Sequence, residues 1–176
     1  PFGLKGGFNN PEADLDFSGV FSISPSGKIE LISKRFERPN GIALSPDETK
    51  LYVGSKEGDG AQIWVFEKQT DGSFAKEKVF FDCAPLIQPN RKFVLDGMAV
   101  DVHGNLWATA PYGIAIIAPD GHRLGSIHLP HRTGNCAFGG PNGDQLFITS
   151  DSRLIRVQTK TKGHNPEVRN QETEAR

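Results

Sequence analysis

The chain has 176 residues, one domain or a piece of a larger protein at about 100–200 residues per domain. Lys plus Arg is 20 and Asp plus Glu is 21, a formal net charge of −1, so the basic excess of a nucleic-acid or anionic-membrane binder is absent. The longest apolar run, residues 114–118, falls far short of the roughly 20 residues of a spanning helix.

The 20 glycines and 12 prolines make about 18% of the chain against an ordinary ~12%, which predicts many short elements joined by tight turns. Short runs of Val, Ile, Leu, Phe, Trp and Tyr alternate with clusters of Gly, Pro, Asp and Asn. They predict strands over 19–23, 28–32, 41–44, 50–54, 62–66, 75–81, 97–101, 105–109, 113–118, 123–128, 136–138, 145–149 and 154–158. Between them stand turn sequences such as Ser24-Pro25-Ser26-Gly27, Ser45-Pro46-Asp47-Glu48, Pro119-Asp120-Gly121 and Pro141-Asn142-Gly143. There Pro sets φ, Asp or Asn bonds its own backbone, and Gly takes positive φ. No stretch carries a helical stripe. Residues 159–176 are polar and unpatterned and predict a disordered tail. No charged and apolar leader follows Pro1, so no signal peptide is visible; the expectation is that a segment was removed or that the chain starts inside a longer protein. The compartment cannot be read.

The strands repeat. Asn40-Gly41-Ile42-Ala43-Leu44-Ser45-Pro46-Asp47 leads to Leu51-Tyr52-Val53, Asp96-Gly97-Met98-Ala99-Val100-Asp101 to Leu106-Trp107-Ala108, and Gly134-Asn135-Cys136-Ala137-Phe138 to Leu146-Phe147-Ile148. The spacing from Asp96 to Gly134 lies near the 40–50-residue period of a four-stranded propeller blade. The first interval is lengthened by a loop over 82–95. Gly, Ala and medium aliphatics suit the crowded strand nearest an axis, while Tyr52, Trp64, Trp107 and Phe147 suit the next strands out, packing blade on blade. The fold class is all-β. Residues 1–158 predict a partial propeller of about three and a quarter four-stranded antiparallel blades, which opens partway through one blade and cannot close its own ring.

In such a blade the loops entering the innermost strand, and those joining the second and third, share one face. Asn40 and Asp96 both stand where an innermost strand begins, so both are expected at the axial mouth of that face. An amide oxygen and a carboxylate are hard ligands suited to Ca2+ or a similar divalent ion. Each alone is also an ordinary turn dipeptide with its glycine; the shared place in two repeats favours a site.

With these motifs in hand, the chain resembles the SMP-30/gluconolactonase/luciferin-regenerating-enzyme family. The resemblance is carried by Arg38-Pro39-Asn40-Gly41, by Leu95-Asp96-Gly97-Met98 with Gly104-Asn105-Leu106-Trp107, by Asn135-Cys136-Ala137-Phe138-Gly139-Gly140, and by Pro1-Phe2-Gly3-Leu4 at the start. It implies a six-bladed β-propeller with a divalent cation in the axial mouth: Ca2+ first, with Zn2+, Mn2+ or Mg2+ as alternatives. It further implies metal-dependent hydrolysis of a lactone, expected to be a sugar-acid lactone. Asn40 and Asp96 match the family's metal-binding positions, and Asp96 also its general base. Asn135 falls one place past the ligand slot, level with Gly41 and Gly97, and is expected to be structural. The family's first-blade Glu and second-blade substrate contacts have no counterpart; Glu12 and Glu30 lack the context. The expected partners are a small-molecule lactone and the missing N-terminal half of the propeller, with no nucleic acid and no membrane. The alternatives are a non-catalytic calcium- or ligand-binding propeller module, or a fragment that self-associates through open edges.

Tyr112, His131, Arg132, Ser150 and Asp151 lie in loops of the same face and are candidate substrate contacts or ordinary loop residues. The loop over 82–95 is a candidate lid. His103, His122, His128, His131 and His164 show no metal-ligand spacing. Cys83 and Cys136 sit in different repeats and are expected to be free thiols.

Overall fold

A computed structural model describes residues 10–57, 60–87, 95–111 and 113–164. Tyr112, residues 88–94 of the candidate lid, the opening Pro1–Leu4 motif and residues 165–176 lie outside the described residues. Every predicted strand is present: β1 Val20–Ile23, β2 Ile29–Ser33, β3 Arg38–Leu44, β4 Lys50–Glu57, β5 Gly60–Lys68, β6 Phe74–Asp82, β7 Met98–Val100, β8 Leu106–Ala110, β9 Gly113–Ile117, β10 Arg123–His128, β11 Thr133–Gly139, β12 Gln145–Ser150 and β13 Arg153–Gln158. Helix among the described residues amounts to a 3₁₀ turn at Ala84–Leu86.

The strands form four antiparallel sheets in which spatial order follows chain order: β1-β2, β3-β4-β5-β6, β7-β8-β9-β10 and β11-β12-β13. The first strands of successive sheets touch, β3 with β7 and β7 with β11. Meandering sheets that meet along their first strands form a partial β-propeller.

The middle strands explain why the sequence reads as continuous apolar runs. Sheets pack face to face, so a middle strand is covered on both sides and loses the alternation of a half-exposed strand. All five residues of β8 are buried, as are Ile63–Phe66 of β5. Each covered strand feeds two cores. Trp64 and Phe66 join Val20, Phe36, Leu51 and Val53 between the first and second sheets. Ile63 and Val65 face the other way, onto Met98, Leu106, Ala108 and Ile117 of the third. Trp107 and Ile114 then meet Cys136, Leu146 and Ile148 of the fourth. Of the four aromatics assigned to this packing, Tyr52, Trp64 and Trp107 are fully part of it. Phe147 is not: strand alternation turns it to the opposite face of β12, and its neighbours Leu146 and Ile148 fill the core instead.

Asp101 at the end of β7 is 1% exposed and makes this inter-sheet corner specific. Its Oδ1 accepts the backbone N–H groups of His103 and Asn105, both at 2.9 Å. Its Oδ2 accepts the Asn105 amide at 2.9 Å and the Trp107 indole N–H at 3.1 Å. Asp101→Asn places an NH2 against donors and strands at least one of them. Denaturant unfolding should show a loss of about 2 kcal/mol, in the range for charge-assisted bonds.

Cys83 and Cys136 are free and buried, and desolvation pushes both thiols up to about 12. Residues 159–164, assigned from sequence to the polar tail, are hydrogen-bonded to the sheets. Lys162 O accepts from Val102, His164 N–H donates to Val100 O, and Gly163 N–H donates to Gly143 O. An apolar groove of about 500 Å³ opens between the first two sheets, lined by Phe21, Ile32, Ile42, Leu44 and Phe74 among others, with Ser45 and Glu48 of the β3–β4 turn. It lies toward the opposite end of β3 from Asn40.

Candidate active site at the hub

At one end of the inner strands the hydrogen-bond ladder is broken in β3 and β11, and a side chain joins it just before β7. In β3, Pro39 pairs with Ser55 but Ile42 with Val53, so one extra residue is accommodated around Asn40 and Gly41. In β11, Thr133 pairs with Ser150 and Asn135 with Thr149, leaving Gly134 unpaired. At β7 the neighbour's side chain enters the ladder: the Asp96 N–H donates to Thr109 Oγ1 at 2.8 Å, while Gly97 O accepts from Thr109 N–H at 3.1 Å. Bulges re-aim side chains and are common beside active sites. Asn40 thus lies inside a strand rather than just ahead of it, because β3 begins at Arg38.

The bulge brings Gly41, the residue after Asn40, against the backbone of Asp96. A Cβ built on Gly41 would overlap the Asp96 carbonyl oxygen, with Met98 Cε next at 2.9 Å. The backbone of Asn40-Gly41 is therefore in van der Waals contact with Asp96 across the hub. The same relation recurs one sheet on, where a Cβ on Gly97 would overlap the side chain of Asn135. Asn135 uses that side chain locally, its Oδ1 accepting the Cys136 N–H at 2.8 Å, a structural bond. Asn40 is exposed. The Asp96 side chain keeps 30% exposure, and its Oδ2 lies 3.9 Å from where a Gly134 Cβ would be.

One feature here escaped sequence reasoning, and another was only one of several loop candidates there. Thr109, 0% exposed, anchors Asp96 through its hydroxyl; nothing in its strand pattern distinguishes it from a packing residue. Arg132, an undifferentiated loop candidate in the sequence, brings Nη2 to 3.8 Å from Asp96 Oδ2. Its loop is tied down on both sides. Asp151 N–H donates to Arg132 O at 3.0 Å, and Thr133 Oγ1 donates to Gly113 O at 2.9 Å. These bonds join the β10–β11, β12–β13 and β8–β9 loops on one face, the face expected from connectivity. Asp151 turns at φ 49 and faces His131 Nδ1 at 3.5 Å. Ser150 is buried, and its hydroxyl has no hydrogen-bond partner among the described residues.

The amide and carboxylate fit a hard divalent cation in kind. Among the described residues no three His, Cys, Asp or Glu side chains gather around one point, so in number they supply part of the 6–8 oxygens that Ca2+ takes.

Comparison with known proteins gives the chain's relatives. The SMP-30/Gluconolactonase/LRE-like region matches residues 2–152. The Gluconolactonase of Zymomonas mobilis is 40% identical over 174 residues, covering 93% of this chain and 46% of that protein. The Regucalcin of Xenopus laevis is 36% identical, covering 74% of this chain and 43% of its own length. A solved gluconolactonase from Xanthomonas campestris superposes with a TM-score of 0.71 at 28% identity, covering 86% of this chain and 50% of the other. The chain spans about half the length of the relatives it matches. Its breadth of match places the chain in the SMP-30/gluconolactonase/luciferin-regenerating-enzyme family.

Proposed function

We propose that the protein hydrolyses a lactone of a sugar acid, of the gluconolactone type, at the hub face where β3 and β7 meet. The observation that carries this reading is the contact of Asn40-Gly41 with Asp96 across two inner strands. The 40% identity to a gluconolactonase supports the substrate class. Asp96 takes the proton of the attacking water and returns it to the ring oxygen as the acyl–oxygen bond breaks, giving the open hydroxy acid. Its backbone, fixed by Thr109 and by the β3 contact, holds the carboxylate at one depth in the mouth. Asn40 and Asp96 would hold a divalent cation, most simply Ca2+, which supplies Lewis-acid polarisation of the lactone carbonyl. Its other oxygens come from water, substrate and residues beyond those described.

The natural full-length protein should accelerate δ-gluconolactone hydrolysis in a pH-stat well above the spontaneous rate. Chelation should remove the acceleration and Ca2+ restore it. A full-length protein that binds Ca2+ without accelerating hydrolysis would overturn this reading in favour of a binding propeller.

A further inference from the structure

Arg132 is more than a rim charge. Its guanidinium stands 3.8 Å from Asp96 Oδ2, beyond the 2.7–2.9 Å of a formed charge-assisted bond. The pair is therefore close without being closed. The side chain is 58% exposed and makes no side-chain hydrogen bond among the described residues, which leaves most of a five-donor fork available. Its backbone is not free in the same way. The Arg132 carbonyl is bonded to Asp151, Thr133 to Gly113, and Gly134 O to the N–H of Gly97, the residue after Asp96. A fixed root with an uncommitted cationic tip beside a carboxylate is the arrangement of a ligand-binding arginine. The spacing itself is that of other exposed pairs in the chain, 3.6 Å for Arg38–Glu37 and for Lys78–Glu67, which contribute about 0–1 kcal/mol; what sets Arg132 apart is its tied backbone beside Asp96.

The chemistry at Asp96 supplies the ligand. Water adds to the acyl carbon and its proton passes to Asp96. Negative charge gathers on the former carbonyl oxygen, and expulsion of the ring oxygen leaves a carboxylate. A planar guanidinium fits both the developing oxyanion and the two oxygens of that carboxylate. We propose that Arg132 is the acyl-oxygen receptor of the site: its fork turns from Asp96 to the lactone carbonyl and holds the product carboxylate until release. This rests on the lactonase reading for its reaction, but not for its binding test.

The test uses the natural full-length protein, Arg132→Gln and Arg132→Lys. Against δ-gluconolactone, Arg132→Gln should lower kcat by about 10²-fold, the scale for loss of one oxyanion donor. It should weaken competitive inhibition by gluconate by at least about tenfold and leave Tm unchanged. Arg132→Lys should recover part of kcat, and added guanidinium ion should partly rescue Arg132→Ala, which a merely structural role would not allow. Unchanged kcat and unchanged gluconate inhibition in Arg132→Gln would overturn the assignment. If the wild type proves inactive on lactones, the function proposal fails separately. Calorimetry with gluconate then decides on Arg132: binding lost in Arg132→Gln supports the receptor, and binding equal in both proteins, or absent in the wild type, rejects it.

Discussion

Asp96→Asn in the natural full-length protein should lower kcat on δ-gluconolactone by about 10³-fold, with little change in Tm. The amide matches the carboxylate in shape but cannot take a proton, and a positioned general base contributes about 10²–10⁴-fold. The fold should survive because Asp96 supports it through its backbone. The N–H bonds Thr109 Oγ1 and the carbonyl abuts Gly41, and neither contact involves the carboxylate. The side chain is also partly exposed, with Arg132 at 3.8 Å as its charge neighbour, so no buried partner is orphaned. Initial rates and a melting curve on the same preparation check both halves. Activity within tenfold of wild type removes Asp96 from the reaction.

Gly41→Ala should be destabilising by about 3 kcal/mol and should also abolish activity. At an unstrained position Gly→Ala stabilises by ~0.4–1 kcal/mol through the unfolded chain. Gly41 has no left-handed φ, so the reversal of sign comes from space alone. The atom in the way is the carbonyl oxygen of Asp96, which is backbone and cannot rotate aside as a side chain can. Relief requires β3 and β7 to separate, and overpacking of this kind costs about 1–3 kcal/mol or more. The separation displaces Asp96 from Asn40, so rate and stability should fall together. Gly125→Ala is the control: a Cβ there meets nothing within 4 Å, and urea midpoints should show it neutral or slightly stabilised. Equal midpoints for the two variants would show that the hub is looser than the contact at Gly41 requires.

The strands were legible because two-sided burial writes itself into composition. Leu106–Ala110 and Ile63–Phe66 read as unbroken apolar runs, and turn residues bracket them. That Asn40 and Asp96 stand on neighbouring inner strands was legible because the two repeats set them at equivalent places. The ladder breaks were not. The extra residue at Asn40–Gly41 leaves no mark in hydrophobic alternation, and the bulge at Gly134 looks like one more turn glycine. Thr109 and Arg132 were hidden for different reasons. The hydroxyl of Thr109 matters through a bond to a residue thirteen positions away, while Arg132 gains its meaning from Asp96 on another strand. Residues 159–164 read as tail because their attachment runs mostly through backbone groups, with the Thr159 hydroxyl donating to Asp144 O, and such bonding carries little compositional signature.

Both thiols of this chain are sealed among apolar neighbours and raised to about 12, so neither offers an alkylating reagent the thiolate it needs at neutral pH. These two cysteines are thus silent toward maleimides. A probe carried on Asn40→Cys at the exposed hub would report from that single point, giving a fluorescent or spin-label view of ligand entry with no need to strip out the natural sulfur first.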